Sequence, residues 1–254
     1  MAEDLVRYVV EDGIAIATMC DTPHRNALSL AMRRDLWHVF EAMRDDDAVR
    51  VGILTADGPA FCAGGDLKEM VAENIGVPGR DFVPIFNRNI WVDKPVIAAV
   101  SGVAYGGGFM LAMMCDLAVA GVTAHFAMPE AKWSRGAPWS IPLTHMIGQR
   151  LWMELALTGD AIDAHRAYEI GLVNRVVPET ELMDATLRLA ERIRDNAPLT
   201  VTASRHMIYY ATEMGRTAAW DVADKLFEPV YQSQDAQEGP RAFREKRRPQ
   251  WTRR

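Results

Sequence analysis

Residues 95–115 read PVIAAVSGVAYGGGFMLAMMC, a run without a single charge. It is long enough to cross a bilayer as a helix, so whether it is a membrane segment or a buried core unit decides the fold. Gly106, Gly107 and Gly108 split it into a β-like half, PVIAAV, and a helix-like half, FMLAMMC. Its flanks, Asp93-Lys94 and Asp116, carry no cluster of basic anchors, and no second span follows. The run therefore reads as a strand, a glycine turn and a helix, fully buried in a large soluble core.

Working outward, residues 5–19 alternate apolar and polar around Glu11-Asp12-Gly13, the pattern of a hairpin. Ser29 is a candidate N-cap for a helix through Arg44, with Leu36, Val39, Phe40 and Met43 on its inner face. Val51–Thr55 reads as a short buried strand leading into FCAGGD (61–66) and a short helix; 72–82 is a poorly periodic loop. Downstream come a strand at Leu117–Ala120 and the segment His125–Glu130. Helices follow over about 142–157 and 163–170, the second capped by Asp163 and ended by Gly171. Leu172–Val177 is read as a last strand, and three helical patterns then run from Glu179 to about Gln234. Strands alternating with helices, then helices alone, predict an α/β core over 1–178 and a helical region over 179–254.

The bulk numbers agree. With 254 residues, 49% hydrophobic and 24% charged, the chain has the composition of an ordinary globular protein. Folding a chain of this size buries roughly 70–75% of its surface, enough for one large core. Cys20, Cys62 and Cys115 are too few and too scattered for a disulfide framework or a zinc site, and the N-terminus lacks an apolar leader. A reducing, cytoplasmic setting and no metal are expected. Residues 241–254 hold seven basic side chains and one acidic, a net +6 against −6 for the whole chain, so the rest carries −12. An acidic body argues against general nucleic-acid binding. The basic tail is either a solvated end or a clamp on a phosphorylated ligand.

Two glycine loops follow strand-like runs, FCAGGD and AYGGGF. Glycine lets a ligand approach the main chain closely, and the second loop opens a helix whose free N–H groups favour negative charge. Two N–H groups converging on one oxygen would form an oxyanion hole; tight turns are the plain alternative. Neither loop matches a Walker or dinucleotide-binding pattern.

In order and spacing, FCAGGDLKEM, KPVIAAVSGVAYGGGFMLAMMCDLAVA and FAMPEAKW resemble the enoyl-CoA hydratase/isomerase (crotonase) family. PHRNAL, LTGDAIDAHRAYEIGLVNRVVP and FREKRRPQW extend the likeness over essentially the whole chain. The resemblance implies a spiral of β-β-α units with C-terminal helices that assemble trimers, or hexamers as dimers of trimers. It implies that Gly65 and Gly107 supply the two N–H groups that hold a thioester oxygen, and that Glu130 moves the proton. CoA would be bound by Arg25, Ala27 and Leu28, by the Ala63–Leu67 loop with Asp66, and by Phe243 and Lys246 of the C-terminal element. Coenzyme A is then part of the substrate and no separate cofactor is implied.

Two departures matter. The family's hydratases carry a second glutamate three residues past the middle glycine; here that position is Met110. A lone Glu130 suits double-bond isomerisation, while hydration stays open. After Glu130 the family usually has a glycine-rich loop, whereas this chain reads SRGAPWSIP over 134–142. Trp133, Trp139 and His145 are candidates for lining the acyl pocket and selecting a bulky, branched or cyclic acyl group, with core packing as the alternative for each aromatic. The expected activity is therefore hydration or isomerisation of an unsaturated acyl-CoA. A specialised acyl-CoA hydrolase or decarboxylase, or a catalytically weak CoA-thioester or RNA binder, is the alternative.

Overall fold

The structure, a computed structural model, describes residues 4–254. It falls into two compact units, one ending at Ala190 and one over Glu191–Arg254.

The first unit opens with the expected hairpin, β1 (Val6–Glu11) and β2 (Ile14–Met19). Asp12 and Gly13, at φ 46° and 77°, form its two-residue turn, where both central residues need positive φ. Helix α1 (Leu30–Asp45) starts at Ser29, whose hydroxyl accepts from Met32 N–H. Its C-terminal carbonyls are taken up by the buried Lys94 ammonium, which donates to Met43, Arg44 and Asp46. Next come β3 (Val51–Ala56), α2 (Leu67–Ala72), β4 (Val96–Val100), β5 (Val103–Tyr105), α3 (Gly107–Met114), β6 (Leu117–Gly121) and β7 (His125–Ala127). The unit continues through α4 (Leu143–Met146), α5 (Gln149–Thr158), β8 (Ile162–Asp163), α6 (Ala164–Glu169) and β9 (Arg175–Val177).

A six-stranded sheet runs β1-β2-β3-β4-β6-β9, parallel except for the opening hairpin, and a small sheet runs β5-β7-β8. The chain repeatedly leaves the large sheet, adds a short stretch to the small one, and then turns into a helix. β4–β5–α3 is one such turn. The preceding turn runs from β3 through residues 60–62, which bridge to Gly102 and Ala104, into α2. The following turn runs β6, β7 and a 3-10 turn at Pro129–Trp133. This is the β-β-α spiral. Because the turns stack, equivalent junctions of successive turns become neighbours.

The 95–115 run folds as read from its composition. β4 is buried along its whole length between β3 and β6, and all of α3 except Gly107 is buried. Among the described residues no helix is long and apolar enough to cross a membrane. Three expectations need correction. The helix over 142–157 is two, because Ile147 is extended and Gly148 caps α5. The strand over 172–177 is only β9, Leu172 and Val173 being tied by backbone bonds to Ala167 at the end of α6. The C-terminal region has a fourth helix. After α7 (Leu182–Arg194), which leads into the second unit, come α8 (Pro198–Glu213), α9 (Arg216–Gln232) and α10 (Asp235–Glu245). The last contains Pro240 and takes in part of what read as a basic tail.

Candidate active site

Three junctions of the spiral meet through backbone hydrogen bonds. Arg25 and Asn26 both hold left-handed φ, and the Asn26 amide, fully buried, donates to the carbonyls of Asp57 (3.0 Å) and Ala60 (2.8 Å). The 25–28 loop is laced to the first glycine loop by Ala63 N–H to Arg25 O and Leu28 N–H to Gly64 O. That loop is laced in turn to the second by Cys62 N–H to Val103 O and Tyr105 N–H to Cys62 O. Gly106 N–H then reaches Ala127 O on the third turn.

Close approach, not turn-making alone, demands these glycines. A Cβ on Gly64 (φ 95°) would stand 2.7 Å from Tyr105 O and 3.5 Å from Gly107 N; one on Gly107 would meet Leu28 Cδ1 at 2.5 Å. The two glycine loops are thus in backbone contact. Among the described residues no acceptor pairs with the N–H of Gly65 or of Gly107, the latter opening α3.

Glu130 arrives at the same junction one spiral turn later. A Cβ on Gly106 would lie 3.1 Å from its Oε1, so the carboxyl rests against the residue preceding Gly107. Oε1 accepts from Trp139 Nε1 at 3.1 Å, whereas Oε2 is buried and has no partner among the described residues. Burial pushes the carboxyl's pKa up, and its own backbone and the Trp139 indole offset this only in part. Trp139 comes from a 3-10 turn, Pro138–Ser140, and meets Phe109 of α3 edge-on at 5.9 Å.

The other candidate residues are spread more widely. Leu28 is buried and bridges Gly65; Ala27 and Ala63 are half-buried beside it, and Arg25 is exposed. Asp66 caps α2 by accepting from Lys68 and Glu69 N–H, with Leu67 exposed next to it. Met110 is 2% exposed in the core. Trp133, at the end of the 3-10 turn, is 60% exposed, and His145 is also exposed. Phe243 lies on α10 and Lys246 at its C-terminal cap, in the second unit. Among the described residues no group of three or more His, Cys, Asp or Glu is arranged to hold a metal ion.

Sequence reading missed Gly64, Gly106 and Asn26, whose roles are steric or buried, although the AGGD, GGG and PHRNAL motifs contain them. It also missed the link between Trp139 and Glu130. A clamp between α1 and α2 had no signal at all: Glu69 accepts from Leu30 N–H (2.7 Å) and from Arg33 Nη2 (2.8 Å), and the Arg33 guanidinium lies 3.8 Å over the Phe82 ring.

The profile of the Enoyl-CoA hydratase/isomerase family matches residues 10–254. This chain belongs to that family. Carnitinyl-CoA dehydratase from Proteus mirabilis (strain HI4320) is 37% identical over 260 residues, covering 96% of this chain and 97% of the relative. The enzyme of that name from Escherichia coli (strain K12) is 36% identical, covering 99% of both. The solved enoyl-CoA hydratase from Mycobacterium tuberculosis H37Rv superimposes with a TM-score of 0.92 at 37% identity, over 99% of this chain and all of that one. The protein is therefore an enoyl-CoA hydratase/isomerase family enzyme with the crotonase fold.

Proposed function

We propose that the enzyme transfers a proton at the carbon next to the thioester of an unsaturated acyl-CoA. Gly65 and Gly107 N–H hold the thioester oxygen and Glu130 serves as the only acid–base group. The observation that carries this reading is the buried Oε2 of Glu130, without a partner among the described residues, beside a glycine junction whose Gly65 and Gly107 N–H groups likewise find no acceptor among them. In isomerisation of a 3-enoyl thioester, Oε2 takes the C2 proton and the released electron pair delocalises onto the thioester oxygen. The two N–H groups stabilise that oxygen, each worth about 3–4 kcal/mol in such sites. Oε2 then returns the proton to C4, the double bond stands between C2 and C3, and Glu130 is again a carboxylate. Raising the carboxyl's pKa toward neutrality suits it to both steps.

A second reading is dehydration of a 3-hydroxyacyl-CoA, and its reverse; the naming of relatives as carnitinyl-CoA dehydratases favours it. Here Oε2 would take the C2 proton and pass it to the departing C3 hydroxyl, releasing water. Met110 in place of a second carboxylate weighs toward isomerisation.

For CoA we propose the loops around Arg25–Leu28 and Ala63–Leu67, with Phe243 and Lys246 and the helical region acting in a homotrimer or hexamer. Incubating the enzyme with linear, branched and cyclic enoyl-CoAs in deuterated water tests the reaction. Deuterium incorporated without added mass from water marks isomerisation, added water marks hydration, and loss of CoA would overturn both.

A further inference from the structure

We propose that Trp139 is a positioning residue for Glu130: its indole N–H pins one carboxyl oxygen, reserving Oε2 as the single oxygen that carries the proton. The inference rests on the proton-transfer role given to Glu130 above. An indole N–H only donates, and it never titrates in the working range. In the acid form of Glu130 the carbonyl-type oxygen is the better acceptor for that N–H. The indole therefore fixes Oε1 as that oxygen and leaves the proton on Oε2. Without the anchor the carboxyl can turn about its last torsion, which is broad and nearly two-fold, and exchange the two oxygens.

The anchor is itself held. Ser134 turns the chain through a left-handed conformation, with its N–H on Glu130 O, and the Pro138–Ser140 turn brings the indole back over the acid. Trp139 then packs edge-on against Phe109, which packs on Phe126 at 5.6 Å. Phe109 stands two residues beyond Gly107 on α3, so one rigid element carries both an unpaired N–H and the seat of the indole. The oxygen to be polarised and the oxygen that moves the proton are thereby referred to the same helix.

Among the described residues no ion pair engages Glu130. On the turn bearing Glu130, Lys132 is paired with Asp160 and Arg135 reaches Ile75 O. Arg150 and Glu154 lie on α5, which packs on that turn, and Tyr105 and Cys62 lie on the adjoining turns. Burial raises the pKa of Glu130, and its own backbone and the indole act against that rise.

The Trp139→Phe variant keeps an aromatic ring beside Phe109 and removes the N–H together with part of the indole. With an acyl-CoA that the deuterated-water incubation identifies as a substrate, kcat is expected to fall roughly 10–100-fold, the scale of a misplaced catalytic group, with KM little changed. Losing a donor that favours the carboxylate moves the pH at which Glu130 ionises upward. A second measurement needs neither substrate nor that variant: in the unaltered protein labelled with 15N-tryptophan, one indole resonance follows Glu130 ionisation with pH and stops doing so in Glu130→Gln. Indole resonances that ignore pH, or a Trp139→Phe pH profile superimposable on the unaltered one, overturn the proposal. Undiminished turnover by Glu130→Gln would instead overturn the proton-transfer reading itself.

Discussion

Glu69 and Glu130 are two acids of the same unit whose oxygens are employed differently. Glu69 has both engaged, one by Leu30 N–H at the first turn of α1 and the other by the Arg33 guanidinium, which is 5% exposed and stacked on Phe82. Glu130 has one oxygen on an indole and the other buried without a partner. A carboxylate whose acceptors are filled by donors, one of them cationic, acts as a bolt between elements. One that is buried with an acceptor unfilled holds its proton more tightly, and a proton can be put to use there. On the proton-transfer role proposed for Glu130, the contrast separates a residue that builds the site from one that works in it.

The contrast can be broken at either end. Glu130→Gln should lower turnover by roughly 10²–10⁴-fold, the usual contribution of a general acid–base group, while acyl-CoA binding measured by calorimetry changes little. Glu69→Ala should act on stability instead. It strips a buried arginine of its counter-charge, which costs about 3–5 kcal/mol, read by urea unfolding; Glu69→Gln keeps an acceptor for Leu30 N–H and should cost about 1–3 kcal/mol.

The smallest effect concerns pH, and its sign is opposite to that of a salt-bridged acid. The native pKa of Glu130 is raised by burial. Between the ordinary carboxylate range and that raised value the folded state binds more protons than the unfolded one, so this group makes stability fall as pH rises. Glu130→Gln should therefore melt slightly above the unaltered protein at neutral pH. The gain should fade below about pH 4, where the acid is neutral in both states. A gain that persists in acid would mean that charge burial is not its cause.

Legibility from sequence followed how locally each feature is encoded. The Asp12-Gly13 turn, the Ser29 and Asp163 caps and the uncharged 95–115 run declare themselves within a few residues, and all formed where expected. β5 escaped notice because three residues after Ser101-Gly102 look like part of the turn, and become a strand only by pairing with β7. Glu130 was singled out from the sequence because Pro129-Glu130 sits in a motif. The Trp139 bond was not, because it depends on Ser134 adopting left-handed φ and on a second 3-10 turn nine residues on. The clamp of Glu69 on Arg33 spans 36 positions and carries no local pattern.

The uncharged run has a last consequence, before folding is complete. β4 can pair with β3, synthesised earlier, but its other edge waits for β6, and the small sheet beyond β5 waits for β7 and then β8. Until those later strands leave the ribosome, the apolar α3 and the open edge of β4 lack the strands that cover them in the folded protein. Chaperone contact during synthesis, and aggregation on heating, are thus expected at the segment that is quietest in the native enzyme.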